Sequence, residues 1–207
     1  MAKREKEFQS RQTWNSLCNG FMATQRQSVT PAIVLRRRSV GEKDRSVLLF
    51  TKFYGIMWAT ARGVKSVRSR RASHLEPFNI TIVTLHMNGS FSTITDAAAL
   101  SMYGIKSTSF LKTRAFYLAS EIIERLIPPE VPHPESFDLC TKTLADIDAS
   151  EERDVPNILA KSLRTLLVQL GFLGVGKDEP LKDVLSTIES IMERKLKTVS
   201  AFRSSRT

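Results

Sequence analysis

The hydrophobic period of this chain changes once, near Gly104, and that change decides which folds are open to it. Before it come five short runs rich in β-branched and aromatic residues: AIVLRRRSV, RSVLLFT, GIMWATARGV, FNITIVTLHM and FSTITDA. Turn chemistry separates them, namely GEKD, FYG, a long basic loop, and the Asn88-Gly89 pair, whose two residues both accept the positive φ of a tight hairpin. Five short strands within about 65 residues predict a small closed barrel, and spacing alone admits either a five-stranded OB-fold or an SH3-like barrel.

Past Gly104 the apolar residues recur at helical spacing. STSFLKTRAFYLASEIIERLI puts Phe110, Leu111, Ala115, Leu118, Ile122 and Leu126 near one face, and Pro128-Pro129 stops the helix. Further helices are expected at about 134–148, 154–172 and 180–198. Their stripes run through Phe137, Leu144 and Ile147, then Leu159, Leu163, Leu166, Leu167 and Leu170, then Leu181, Val184, Leu185, Ile188, Ile191 and Met192. Each stripe must bury against another, so this half reads as a helical bundle. The expected class is α+β: a flexible extension over 1–28, a β-barrel over 29–100 and an all-α domain over 105–207. Met22 opens MATQRQSVTPAIVL, which looks like a natural start and makes residues 1–21 a candidate start-site artefact.

The net charge of +10 lies almost wholly in the first third. Between Ile33 and Leu75 stand eleven Lys/Arg against Glu42 and Asp44, whereas residues 76–207 carry fifteen cations and seventeen acids. Arg36, Arg37 and Arg38 leave the first strand, and Lys43 and Arg45 flank its turn. Arg62, Lys65, Arg68, Arg70 and Arg71 crowd the segment ARGVKSVRSRRASHLEPF, with His74 close behind and no acid before Glu76. Like charges this dense repel, and a polyanion relieves them better than water does. In a barrel these strand ends can converge into a cationic groove for a phosphodiester backbone. Phe53, Tyr54, Trp58 and Phe91 are interleaved with the cations. On the third strand Ile56, Trp58, Thr60 and Arg62 share one side and Met57, Ala59 and Ala61 the other. If the small side packs inward, Trp58 lies outside beside Arg62 and can stack on a base; the competing reading is that Trp58 fills the core.

Other motifs carry less. GFLGVGKD at 171–178 spells G-x-x-x-x-G-K, but Asp178 stands where a P-loop needs a hydroxyl, SLRTLLVQL before it has helical rather than strand spacing, and Pro180 interrupts the helix that should follow. A helix C-cap at Gly171 accounts for the first glycine. His74, His86 and His133 occur singly, so neither a metal site nor a cofactor is expected, and no nucleophile, base or carboxylate pair supports an enzyme. Cys18 and Cys140 read as free thiols of a reducing cytoplasm, and no apolar run approaches the ~20 residues of a spanning helix, so no membrane partner is expected.

The segment 32–78 resembles the N-terminal domain of the RecO family of bacterial recombination mediators. The resemblance rests on the A-I-V-L strand Ala32–Leu35, the G-E-x-D turn Gly41–Asp44, the L-F-T-x-x-x-G segment Leu49–Gly55, A-x-G-x-K-x-x-x-S-R over Ala61–Arg70, and L-x-P-F at Leu75–Phe78. It continues weakly through RAFYLASEIIERLIPPE and LRTLLVQLGF. It implies an OB-fold followed by a helical domain, binding of single- and double-stranded DNA, annealing of complementary strands, and loading of recombinase onto DNA coated with single-stranded-DNA-binding protein (SSB). The partners it implies are the acidic C-terminal tail of SSB and RecR, in the cytoplasm at the nucleoid. Many members carry a four-cysteine zinc module after a helix ending like LLVQLGF; here LGVGKDEP closes that gap, which puts the RecR partnership in doubt. An OB-type RNA-binding or ribosome-associated module is the alternative that the same groove would serve.

Overall fold

The structure, a computed structural model, describes residues 27–66, 69, 71–89, 91–103, 109–174, 176 and 179–198. The barrel is built from β1 (Gln27–Val40), β2 (Asp44–Thr51), β3 (Gly55–Ala61), β4 (Asn79–Asn88) and β5 (Phe91–Met102). Antiparallel ladders join β1 to β2 and β4, β2 to β3, and β4 to β5. A short parallel contact between Thr60 and Thr93 closes the order β1-β2-β3-β5-β4, the arrangement of a five-stranded OB-type barrel.

Alternation explains the interior. Ala59 and Ala61 of β3 face inward with Ala32, Val34, Val47, Leu49, Val83, Leu85 and Ile94, and Met57 packs against them. Small residues on β3 suit the narrow lumen of a five-stranded barrel, where larger side chains from facing strands already fill the space. The outward residues Ile33, Leu35, Leu48, Phe50, Ile56 and Ile80 are buried too, because the helical half covers them. This is why β2 reads as an unbroken Val47-Leu48-Leu49-Phe50 run: both of its faces are core.

Two boundaries move. β1 starts at Gln27, inside the segment expected to be an extension, because Gln27, Ser28 and Val29 pair with His86, Leu85 and Thr84. β5 likewise runs to Met102, paired with Asn79, beyond the expected end at 100. Residues 1–26, including Cys18 and Met22, lie outside the described residues.

Four α-helices, with a 3-10 turn Glu152–Asp154 before the third, follow among the described residues: α1 (Phe110–Leu126), α2 (Pro134–Ala149), α3 (Val155–Gln169) and α4 (Leu181–Ile191). Ser109 caps α1 by accepting the Lys112 N–H at 3.2 Å. α3 ends in a Schellman turn: Gly171, at φ +79°, donates to Val168 O and Phe172 to Leu167 O. The segment before the P-loop-like motif is therefore helix, not strand; Lys177 and Asp178 lie outside the described residues. Buried Arg164 of α3 secures that loop by donating to Glu179 Oε1 at 3.0 Å and Gly174 O at 3.3 Å.

α4 stops at Ile191, well short of 198. The same two bonds close it, from Glu193 to Ser190 O and from Arg194 to Glu189 O, but the left-handed residue is Glu193 at φ +51°. The chain then turns back and buries Leu196 in the core. Glu121 of α1 anchors this return, accepting the N–H groups of Lys197 and Thr198 at 3.0 and 2.9 Å and the Thr198 hydroxyl at 2.6 Å. Burial alone would raise the Glu121 pKa, but the Thr198 hydroxyl, the two N–H groups and the Arg125 guanidinium together hold it below the ordinary 4.5. The unfolded chain thus binds this proton more tightly than the folded one. The stabilisation is complete above 4.5 and is lost as pH falls through the lowered folded value. Glu121→Gln should flatten the decline in melting temperature between about pH 5 and pH 3. An unchanged decline in the variant would mean that Glu121 contributes nothing to it.

Barrel and helices also meet at the β2–β3 turn. Gly55, at φ +69°, lies against the Val131 backbone beyond α1, and Glu130 donates its N–H to Ile56 O at 3.0 Å. Cys140 is buried in α2, where desolvation pushes its thiol up to about 12 and leaves it unreactive.

Candidate nucleic-acid interface

A β-bulge in β1 decides where the three consecutive arginines point. The β1–β2 register passes from Val34 opposite Leu49 to Arg36 opposite Leu48, so Leu35 is the extra residue. Leu35 enters the core beneath the helices, and Arg36 emerges on the same outer side. Arg36 and Arg38 then lie outside and Arg37 on the lumen side. Both outer guanidiniums cover the Trp58 ring, at 5.4 Å from Arg36 and 4.3 Å from Arg38. Arg36 also donates to Glu124 of α1 at 2.7 Å. Trp58 is thus on the outer face, half-buried against the helical core and capped by cations, so it neither fills the lumen nor lies open.

The ladder registers extend this face around the barrel. Arg38 pairs with Ser46, Ser46 with Thr60, Thr60 with Thr93, and Thr93 with His86, one residue from each strand. Directly paired residues share a face, so the row runs continuously from the arginines to the β4–β5 hairpin.

The basic loop is tied to the β1–β2 turn at this end. Gly63 donates to Asp44 Oδ1 at 2.8 Å, the Lys65 N–H to Lys43 O at 3.0 Å, and Lys65 Nζ to Gly41 O at 2.8 Å. Lys43, Arg62 and Lys65 therefore converge as the barrel topology suggested. Four cations of the cluster, Arg36, Arg38, Lys43 and Arg62, are exposed.

Other cations from the same stretch have structural partners. Glu76 receives both Arg37 and Arg45, the latter at 3.2 Å, at the mouth of the lumen. Arg71 donates to three carbonyls, Ile94 O, Thr95 O and Arg62 O, at 3.0, 3.1 and 3.0 Å, pinning the loop to β5 and the end of β3. His74 Nδ1 accepts the Ala99 N–H at 3.3 Å. Arg71 and His74 thus help hold the loop in place. Arg68 and Arg70 lie outside the described residues. Phe53 stands at the β2–β3 turn, the opposite end of these hairpins, and Tyr54 packs on the barrel core.

Sequence reasoning missed a neighbouring groove. Arg62, His86, Asn88, Phe91, Thr93 and Thr95 line it. Its signal was the strand phase: His86 and Asn88 alternate with the inward Leu85 and Met87.

Among the described residues no three His, Cys, Asp or Glu side chains form a group that could hold a metal, and no helix is long and apolar enough to cross a membrane. With two cysteines in the chain, one of them inert inside α2, the residues do not fit a four-cysteine zinc module.

Comparison with known proteins agrees with the geometry. Residues 22–103 match the family model described as Recombination protein O N terminal, and residues 108–173 match Recombination protein O C terminal. The chain is 30% identical over 126 residues to a DNA repair protein RecO of Roseiflexus sp. (strain RS-1), covering 61% of this chain and 44% of that protein. To the DNA repair protein RecO of Syntrophobacter fumaroxidans it is 28% identical over 144 residues, 70% of this chain and 57% of the relative. To that of Bacillus subtilis (strain 168) it is 30% identical over 144 residues, 69% and 53%. The chain spans about half the length of these relatives. An OB-type barrel with a helical domain packed on its outer face, matched in both halves by the same family, makes this chain a member of the RecO family of DNA repair proteins.

Proposed function

We propose that this protein binds single- and double-stranded DNA on the outer barrel face, anneals complementary strands, and assists recombinase loading onto SSB-coated DNA. The observation that carries this reading is that Arg36, Arg38, Lys43 and Arg62 are exposed, with Arg36 and Arg38 over the Trp58 ring on the outer face of an OB-type barrel, in a RecO-family chain. The proposed mechanism is electrostatic and forms no covalent bond. Complementary strands repel through their phosphates; a cationic face neutralises both backbones while the bases stay free to pair. Arg68 and Arg70 belong to the proposed interface by sequence position. Arg37 and Arg45 would join it only if a phosphate displaced Glu76.

The proposed partners are DNA, the acidic SSB tail and RecR. The absent zinc module leaves RecR the least supported of the three. Annealing of complementary strands pre-coated with SSB tests the proposal. Acceleration that depends on the SSB tail is the expected result. No acceleration on coated strands, with tighter binding to RNA than to DNA of matched sequence, would favour an RNA-binding module, because only a site built around the 2′-hydroxyl prefers RNA.

A further inference from the structure

We infer that the groove around Phe91 is a stacking subsite for one unpaired base, adjoining the phosphate-binding cluster and sharing Arg62 with it. The inference rests on the nucleic-acid reading above. Phe91 opens β5 beside the Asn88-Gly89 turn and is 80% exposed, with its partner Asn88 also exposed. A single exposed aromatic is ordinary by itself; here the ring lines a groove with Arg62, His86, Asn88, Thr93 and Thr95, and that setting gives it a use.

The chemistry of the lining separates this subsite from the rest of the face. The β4–β5 hairpin, residues 79–102, holds no Lys or Arg and a single acid, Asp96. The groove's one permanent cation, Arg62, arrives from the end of β3. Its other lining groups, Asn88, Thr93, Thr95 and His86, carry hydrogen-bond donors and acceptors. One ring, one cation at the edge and several small polar side chains suit a single nucleotide: the base on Phe91, its edge toward the Asn and Thr groups, its phosphate at Arg62. Among the described lining residues a row of phosphates would find one permanent cation, Arg62; Arg71 nearby is committed to the Ile94, Thr95 and Arg62 carbonyls.

Continuity supplies the strand. The row Arg38, Ser46, Thr60, Thr93 and His86 leads from the Trp58 cluster to this groove without leaving the outer face. A strand laid along that row meets phosphate-binding cations first and the Phe91 ring at its far end. A paired base cannot reach the ring, so the subsite favours single strands over duplex.

The test uses the full chain with fluorescent oligothymidine and a duplex of equal length, titrated at several salt concentrations. Phe91→Ala should weaken oligothymidine binding at least about fivefold and leave duplex binding unchanged. The salt slope should not move, since stacking releases no counterions. Phe91→Tyr should restore binding and Phe91→Leu should not, because leucine keeps apolar bulk without a π-face. Wild-type affinity in Phe91→Ala overturns the subsite while leaving the nucleic-acid reading intact. Failure of the wild-type chain to bind either oligonucleotide overturns both. A change in oligomeric state by light scattering, without a change in oligothymidine affinity, would assign Phe91 to self-association instead.

Discussion

Replacing Arg38, Lys43 and Arg62 together by alanine is expected to weaken single-stranded DNA binding on the order of tenfold to a hundredfold near 0.1 M salt. Each phosphate contact releases condensed counterions, so the slope of log affinity against log salt should flatten by about 0.7 per cation, or roughly 2 for all three. Affinity should fall about equally for every sequence, because phosphate contacts carry no base information. All three side chains are exposed, and no carboxylate among the described residues pairs with them. The fold should therefore survive, since taking the Arg38 guanidinium off the Trp58 ring costs about 1 kcal/mol or less. An unchanged slope in the folded triple variant would remove this face from the interface. Arg71→Ala is the contrasting substitution: it strips three carbonyls of their donor, so its effect should appear first in thermal stability.

Gly55→Ala should be the most destabilising small substitution in the barrel. A Cβ there would stand 2.2 Å from Val131 O and 2.7 Å from Val131 C and N. These are backbone atoms, so no rotamer change relieves the clash. The backbone at φ +69° adds roughly 1–2 kcal/mol for any residue with a Cβ. Separating the two backbones also strains the Glu130-to-Ile56 bond and the Phe50–Phe137 pair, centroids 5.5 Å apart, on the same side of the fold. The expected loss is about 3 kcal/mol or more, a fall in melting temperature of roughly 6–12 °C for a chain of this size. A variant melting within about 2 °C of wild type would mean that β3 and the segment after α1 are not in close contact.

Much of this molecule was legible in its sequence. Alternation put Met57, Ala59 and Ala61 on one face of β3 and Trp58 on the other, because a pleated strand gives successive residues opposite faces. Only the closed barrel showed that the small side faces the lumen and Trp58 the outside. Helical spacing located all four described helices, and Gly171 marked the end of α3 because a glycine enters the left-handed region without a Cβ penalty. The end of α4 carried no such mark: Glu193 occupies the equivalent position, held there by the burial of Leu196 beyond it. The charge asymmetry pointed to the first third of the chain, but charge has no periodicity and says nothing about partners. Only the tertiary structure sorted the cations. One extra residue at Leu35 turned Arg36 and Arg38 outward and Arg37 toward Glu76, and the closure of β3 on β5 gave Arg71 carbonyls to bind. Secondary structure follows from local periodicity and can be read along the chain, whereas the partner of a charged side chain depends on residues distant in sequence that meet only when the barrel closes.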